Sequence, residues 1–207
     1  MTGFIRKFLL PREVDFNAAL LAQARIGRAM VDVLHASCSR EGMGGLDAIA
    51  EYAEQANALK NKNMQELLDV FITPYDKESI YRMITQLDWI TLSVKHFVLE
   101  TNVYDLHSIG KFKPVIAALA DMAEALETGI AQLDAVQMSV VSRDVDRIRT
   151  QYDHVVSLCA TETGIVLEQD DIKLVFKQKD QLRQLREIAR RIHIAADTLA
   201  DMAIKVV

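Results

Sequence analysis

The chain has 207 residues, half of them hydrophobic, with a net charge of −5, only three prolines and eight glycines. That balance fits one sizeable helical core and argues against a sandwich or barrel. The acidic total gives no footing for general binding of nucleic acid. No apolar run approaches the ~18 residues of a membrane span. Cys38 and Cys159 lie far apart with no metal-ligand spacing, as expected of two reduced thiols in a cytoplasmic protein. The short apolar stretch Phe4–Leu10 lacks a small-residue cleavage site. It reads as a strap over the body of the protein, with a membrane-surface contact as the alternative.

Hydrophobic spacing predicts six helices. The first runs from about Asp15 to Ser39 on Phe16, Leu20, Ile26, Met30 and Leu34, and is ended by the glycine-rich Glu41–Gly45. The second, from about Leu46 to Phe71, is rich in alanine at first (Ala50, Ala53, Ala56). The third carries Ile80, Ile84, Leu87, Ile90, Val94 and Phe97 and fades near Thr101. Gly110 and Pro114 bracket the start of the fourth, whose face holds Val115, Leu119, Met122, Leu126, Ile130 and Leu133. Ser142 is a plausible cap for the fifth, which loses its pattern near Gly164. The sixth starts near Asp170–Asp171 and runs to the end on Leu182, Leu185, Ala189, Ile192, Ala196 and Leu199, spaced three and four apart. Asp76–Ile80 and Glu168–Ile172 open the third and sixth helices at corresponding places, a weak internal repeat. The expectation is a single domain over 1–207, an all-α bundle of six helices in two three-helix halves of about 12–104 and 112–207.

The turn between the second and third helices, Phe71-Ile72-Thr73-Pro74-Tyr75-Asp76-Lys77-Glu78-Ser79-Ile80, contains two helix-start signals. Thr73 can cap with Pro74 at the first helical position, or Asp76 can cap with Ser79 three residues on. This stretch resembles the Phe-Ile-Thr-Pro-Phe-Asp-Arg-Glu-Asp-Ile signature of a PhoU-related family, the accessory proteins of Pit-type phosphate transport. Phe71, Thr73, Pro74, Asp76 and Glu78 match it; Tyr75, Lys77 and Ser79 are mild departures. Leu9–Glu13 followed by Phe16, and the long last helix, extend the resemblance more weakly.

The resemblance implies a PhoU-like bundle that regulates phosphate transport by contact with a membrane permease at its cytoplasmic side, as a homo-oligomer and not as an enzyme. It also implies metal clusters held by acidic pairs four residues apart, which share one helix face. By the surrounding pattern these pairs fall on Ala53 and Asn57, Asp88 and Leu92, Arg149 and Asp153, and Arg186 and Arg190. Only Asp88 and Asp153 are acidic, with Glu54 beside the first pair. A multivalent cation needs several converging oxygens, and arginine repels it. The expectation is therefore a chain with no metal and no cofactor, in which Arg186 and Arg190 pair with Asp88 or Glu54 on facing helices. The alternative is a metal-binding sensor or store with a rearranged carboxylate cluster. Arg183, Arg186 and Arg190 also form a stripe that could bind an anion such as phosphate. None of the five histidines follows a glutamate by three, so the two Glu-x-x-His pairs of a di-iron carboxylate enzyme are missing. A glycine-rich phosphate loop and a nucleophile elbow are missing as well.

Overall fold

The computed structural model describes residues 14–39, 45–133 and 138–205. The expectations for Phe4–Leu10, for the Leu9–Glu13 resemblance and for Glu41–Gly44 fall outside them. Six helices follow in order: α1 Phe16–Ser37, α2 Ala48–Asp69, α3 Lys77–Val103, α4 Lys113–Ala131, α5 Met138–Leu167 and α6 Ile172–Lys205. A single 3₁₀ turn, Gly110–Phe112, leads into α4. No strand occurs among the described residues. The bundle is all-α, as the composition predicts.

Local chemistry sets several of the helix ends. The Asp15 carboxylate accepts a hydrogen bond from the Ala18 N–H at 2.9 Å and starts α1. Pro114 lies in the first turn of α4, where its missing N–H costs nothing. The end of α3 is a Schellman motif. The Leu106 N–H donates to the Thr101 carbonyl and the Asp105 N–H to that of Asn102, with Asp105 in the left-handed region at φ 52°. The fifth helix departs from expectation at both ends. It starts by Met138, so Ser142 is an exposed residue within it, and it runs through Gly164 to Leu167. A glycine within an exposed helix costs only about 1 kcal/mol, and the buried pattern resumes at Val166.

Helices α1, α2 and α3 pack on one another, as do α4, α5 and α6. The two sets meet along two seams, α1 on α4 and α3 on α6. Each seam joins helices of the same rank in the repeat, as a pseudo-twofold arrangement requires, while α2 and α5 flank the body. Phe16, Leu20, Met30, Ile80, Ile84 and Phe97 from the first three helices and Leu119, Met122, Ile148, Leu185, Ile188 and Ile192 from the last three belong to one shared core. A buried polar relay ties the first three helices. Gln23 donates to the Ile84 carbonyl at 2.8 Å, and Asn63 donates to the Gln23 side-chain oxygen at 3.2 Å. Along the α3–α6 seam, buried Thr101 bonds the Gln181 side chain at 2.7 Å, and Arg191 lies over the Trp89 ring at 4.6 Å. The pairs Arg82–Asp201 and Tyr104–Asp180 run these two helices antiparallel. At 34 residues α6 is about 51 Å long and spans the bundle.

Candidate functional site

Of the two start signals in the turn before α3, the structure uses Asp76. Its carboxylate accepts from the Ser79 N–H at 2.8 Å and from the Ser79 hydroxyl at 2.7 Å. These two bonds, and Lys205 at 3.4 Å, hold the Asp76 carboxyl below the usual carboxylate range. Thr73 instead donates to the Tyr75 carbonyl at 2.6 Å and shapes the turn, so Pro74 precedes the cap and is not the first helical residue. Tyr75 is buried, while Lys77 reaches back to the Val70 carbonyl at 2.6 Å. Glu78 is exposed in the first turn of α3. The turn is thus anchored from below, yet Phe71 is 91 %, Leu68 76 % and Ile72 70 % exposed. The turn therefore combines an anchored backbone with large apolar side chains in water.

A second feature is a groove between α5 and α6. Its wide part holds about 840 Å³ and is lined on α5 by Cys159, Ala160 and Thr163, and on α6 by Phe176, Leu182 and several cations. A narrower part of about 310 Å³, beside Tyr152 and Val156, shares Arg183 and Arg186 with it and adds Arg190. Two of these arginines are held within their own helix: Arg183 pairs with Asp180 at 2.8 Å, and Arg190 grips Glu187 at 2.7 and 2.8 Å. Lys177 is held by the Tyr104 carbonyl at 2.6 Å. Neither Arg186 nor Lys179 makes an ion pair with a described residue. The Tyr104 hydroxyl donates to Asp180, and that bond pushes the phenol up to about 12. Arg183 first, then Tyr104, holds the Asp180 carboxyl down. Burial raises the Cys159 thiol to about 11, so it is neutral at physiological pH and unsuited to nucleophilic attack.

The acidic positions behave differently from one another. Asp88 is 6 % exposed and pairs with Lys60 of α2 at 2.8 Å. Asp153 is exposed on α5, and Glu54 is exposed on α2. Arg149 pairs with Asp197 of α6 at 2.9 Å. No group of three or more His, Cys, Asp or Glu side chains converges as metal ligands would among the described residues.

Two crystal structures from Shewanella oneidensis MR-1 superpose on this bundle. One, of a PhoU-like protein, matches with a TM-score of 0.76 at 14 % identity, over 90 % of this chain and 98 % of that one. The other, of a candidate PhoU-like phosphate regulatory protein, matches at 0.75 and 14 % identity, over 91 % and 98 %. The fold is PhoU-like. No family model matches the sequence, and no curated protein matches it.

Within the PhoU-like frame, one expectation is corrected outright. Arg186 and Arg190 do not pair with Asp88 or Glu54. Lys60 occupies the carboxylate of Asp88, and Arg190 finds Glu187 one turn away on its own helix. The register of the internal repeat is also corrected. Asp171 accepts from the Lys173 and Leu174 N–H groups and plays for α6 the part Asp76 plays for α3. Ile80 and Val175, each buried and each donating to the cap residue's carbonyl, are then equivalent. Counting twelve and sixteen residues from each cap, the counterpart of Asp88 is Arg183 and that of Leu92 is Glu187, three residues earlier than the pattern suggests. Sequence reasoning missed Lys60, Lys179, Tyr104 and Phe176. Phe176, Lys179, Arg183, Arg186 and Arg190 recur three or four apart and could have been read as one stripe.

Proposed function

We propose that this protein is a non-catalytic, cytoplasmic regulator of phosphate transport that works by contact with a membrane permease of the Pit type. The PhoU-like fold supports the regulatory class. The observation that carries a protein-contact mechanism is the anchored turn with Phe71, Leu68 and Ile72 exposed. Three large apolar groups on a fixed backbone can enter a pocket on a partner with little ordering cost. No described helix is long and apolar enough to cross a membrane, so contact with the permease would be made from outside the bilayer. The chain is proposed to act without bound metal, and elemental analysis of the purified protein tests that: a stoichiometric transition metal favours the sensor-or-store reading. Self-association is part of the proposal, since the same tip is available to a second copy.

The deciding experiment is co-purification with a Pit-type phosphate permease from the same organism, using wild-type protein and Phe71→Asp/Ile72→Asp. Both residues are exposed, so the substitution leaves the fold intact by circular dichroism. Loss of the permease from the variant's eluate supports the reading. Equal recovery with the variant, or no recovery with wild type, overturns it.

A further inference from the structure

We propose that the groove between α5 and α6 is a binding site for an organic phosphate, an oxyanionic head carried on an aromatic or apolar body. Four cations line its wide part, Lys177, Lys179, Arg183 and Arg186, against the single carboxylate of Asp180. This local excess sits on a chain whose net charge is −5. The concentration of positive charge is thus a property of this face and not of the whole surface. Two of those cations, Arg186 and Lys179, make no ion pair with a described residue. Arg186 stands where the two parts of the groove join, and Lys179 projects from the same face two turns earlier. A guanidinium and an ammonium together suit an anion of more than one charge, and the guanidinium fork matches a phosphoryl group.

The remaining lining selects against a bare ion. Ala160, Leu182, the neutral Cys159 thiol and the exposed ring of Phe176 offer apolar surface beside the charge. Inorganic phosphate would leave most of about 840 Å³ unfilled, whereas the space lies in the range of pockets for small organic ligands. The Thr163 hydroxyl is turned to the Cys159 carbonyl at 2.7 Å and keeps acceptor capacity toward the groove. The inference stands apart from the permease-contact reading, because the tip at Phe71 and the groove share no residue.

Isothermal titration in metal-free buffer tests it with ADP as the probe, and adenosine and inorganic phosphate as separate arms. ADP should bind saturably, at least about tenfold more tightly than either arm alone, because head and body each contribute. Arg186→Glu and Lys179→Glu should each weaken ADP by about tenfold or more, and Arg186→Lys by less, since charge is kept and the fork is lost. Amide shifts on ADP addition should cluster at 159–163 and 176–186. No saturable binding at millimolar ADP, affinity unchanged from wild type in both charge-reversal variants, or shifts that map elsewhere overturn the proposal. Phosphate binding as tightly as ADP overturns the organic-body half of it.

Discussion

Twelve residues after the capping aspartates, α3 and α6 carry charges that are met in opposite ways. On α3, Asp88 is buried and its charge is met by Lys60 from the flanking helix α2. On α6 the counterpart is Arg183, exposed and paired with Asp180 of its own helix, and the space beside the flanking helix α5 stays open as a groove. The buried charge of Asp88 is answered by a neighbouring helix. Where the charge faces water, the helix can answer itself and the interhelical space is left for something else. At this one position the charge on α3 is spent inside the bundle and the charge on α6 stays accessible.

The largest test of that contrast is Asp88→Ala. Breaking a fully buried ion pair costs roughly 3–5 kcal/mol; the partial exposure of Lys60 brings the expected loss to about 2 kcal/mol in urea unfolding. Asp88→Leu combined with Lys60→Met should recover most of it, because an apolar pair of similar size leaves no charge unanswered. A single variant as stable as wild type would mean that Lys60 reaches water without cost, and the contrast between the halves would fail.

Much of the bundle was legible in the sequence because helix faces leave a repeating apolar trace. Ile80, Ile84, Leu87, Ile90, Val94 and Phe97 are all buried, as their spacing predicts. Starts and stops were harder. Ser142 has the chemistry of a cap but lies inside α5, and buried Val141 just before it shows that the apolar face continues. In the repeat, aligning isoleucines gave the wrong register; aligning the capping aspartates gives Ile80 opposite Val175. At the candidate site, the stripe Arg183–Arg186–Arg190 was visible but its partners were misjudged. Asp180 and Glu187 stand three residues before Arg183 and Arg190, within reach on one helix, and that nearness outweighed any carboxylate across the bundle. The Lys60–Asp88 pair links residues of two helices, and no local spacing announces it.

A smaller effect separates the two caps. Asp76 accepts two bonds from Ser79 and also faces Lys205, whereas Asp171 accepts two backbone N–H bonds at 3.0 and 3.2 Å. Replacing either with alanine should cost about 1 kcal/mol, with Asp76→Ala the more damaging. The pH dependence of the first has a definite sign. The Asp76 carboxyl is held below its ordinary value of 3.8, so its contribution is present above that pH and is lost as pH falls through the lower folded value. The gap between wild type and Asp76→Ala should be constant near neutrality and close on acidification below about pH 4. A gap that persists at pH 2 would assign the effect to packing of the turn instead.

The smallest expected stability effects lie on the arginine stripe, and their pattern is what distinguishes a ligand face from a structural one. Arg183 and Arg190 each make an exposed pair three residues apart, worth a few tenths of a kcal/mol, so alanine at either should lower the urea midpoint slightly. Arg186 makes no ion pair with a described residue, and its alanine variant should be indistinguishable from wild type in stability. Its charge also lies near Cys159 and favours the thiolate against burial, so Arg186→Ala should slow the labelling of that thiol at alkaline pH. A residue whose removal leaves stability unchanged while it alters the chemistry of the groove is held there by something other than the fold. A clear loss of stability in Arg186→Ala would instead make the whole stripe part of the scaffold and erase the difference between α3 and α6.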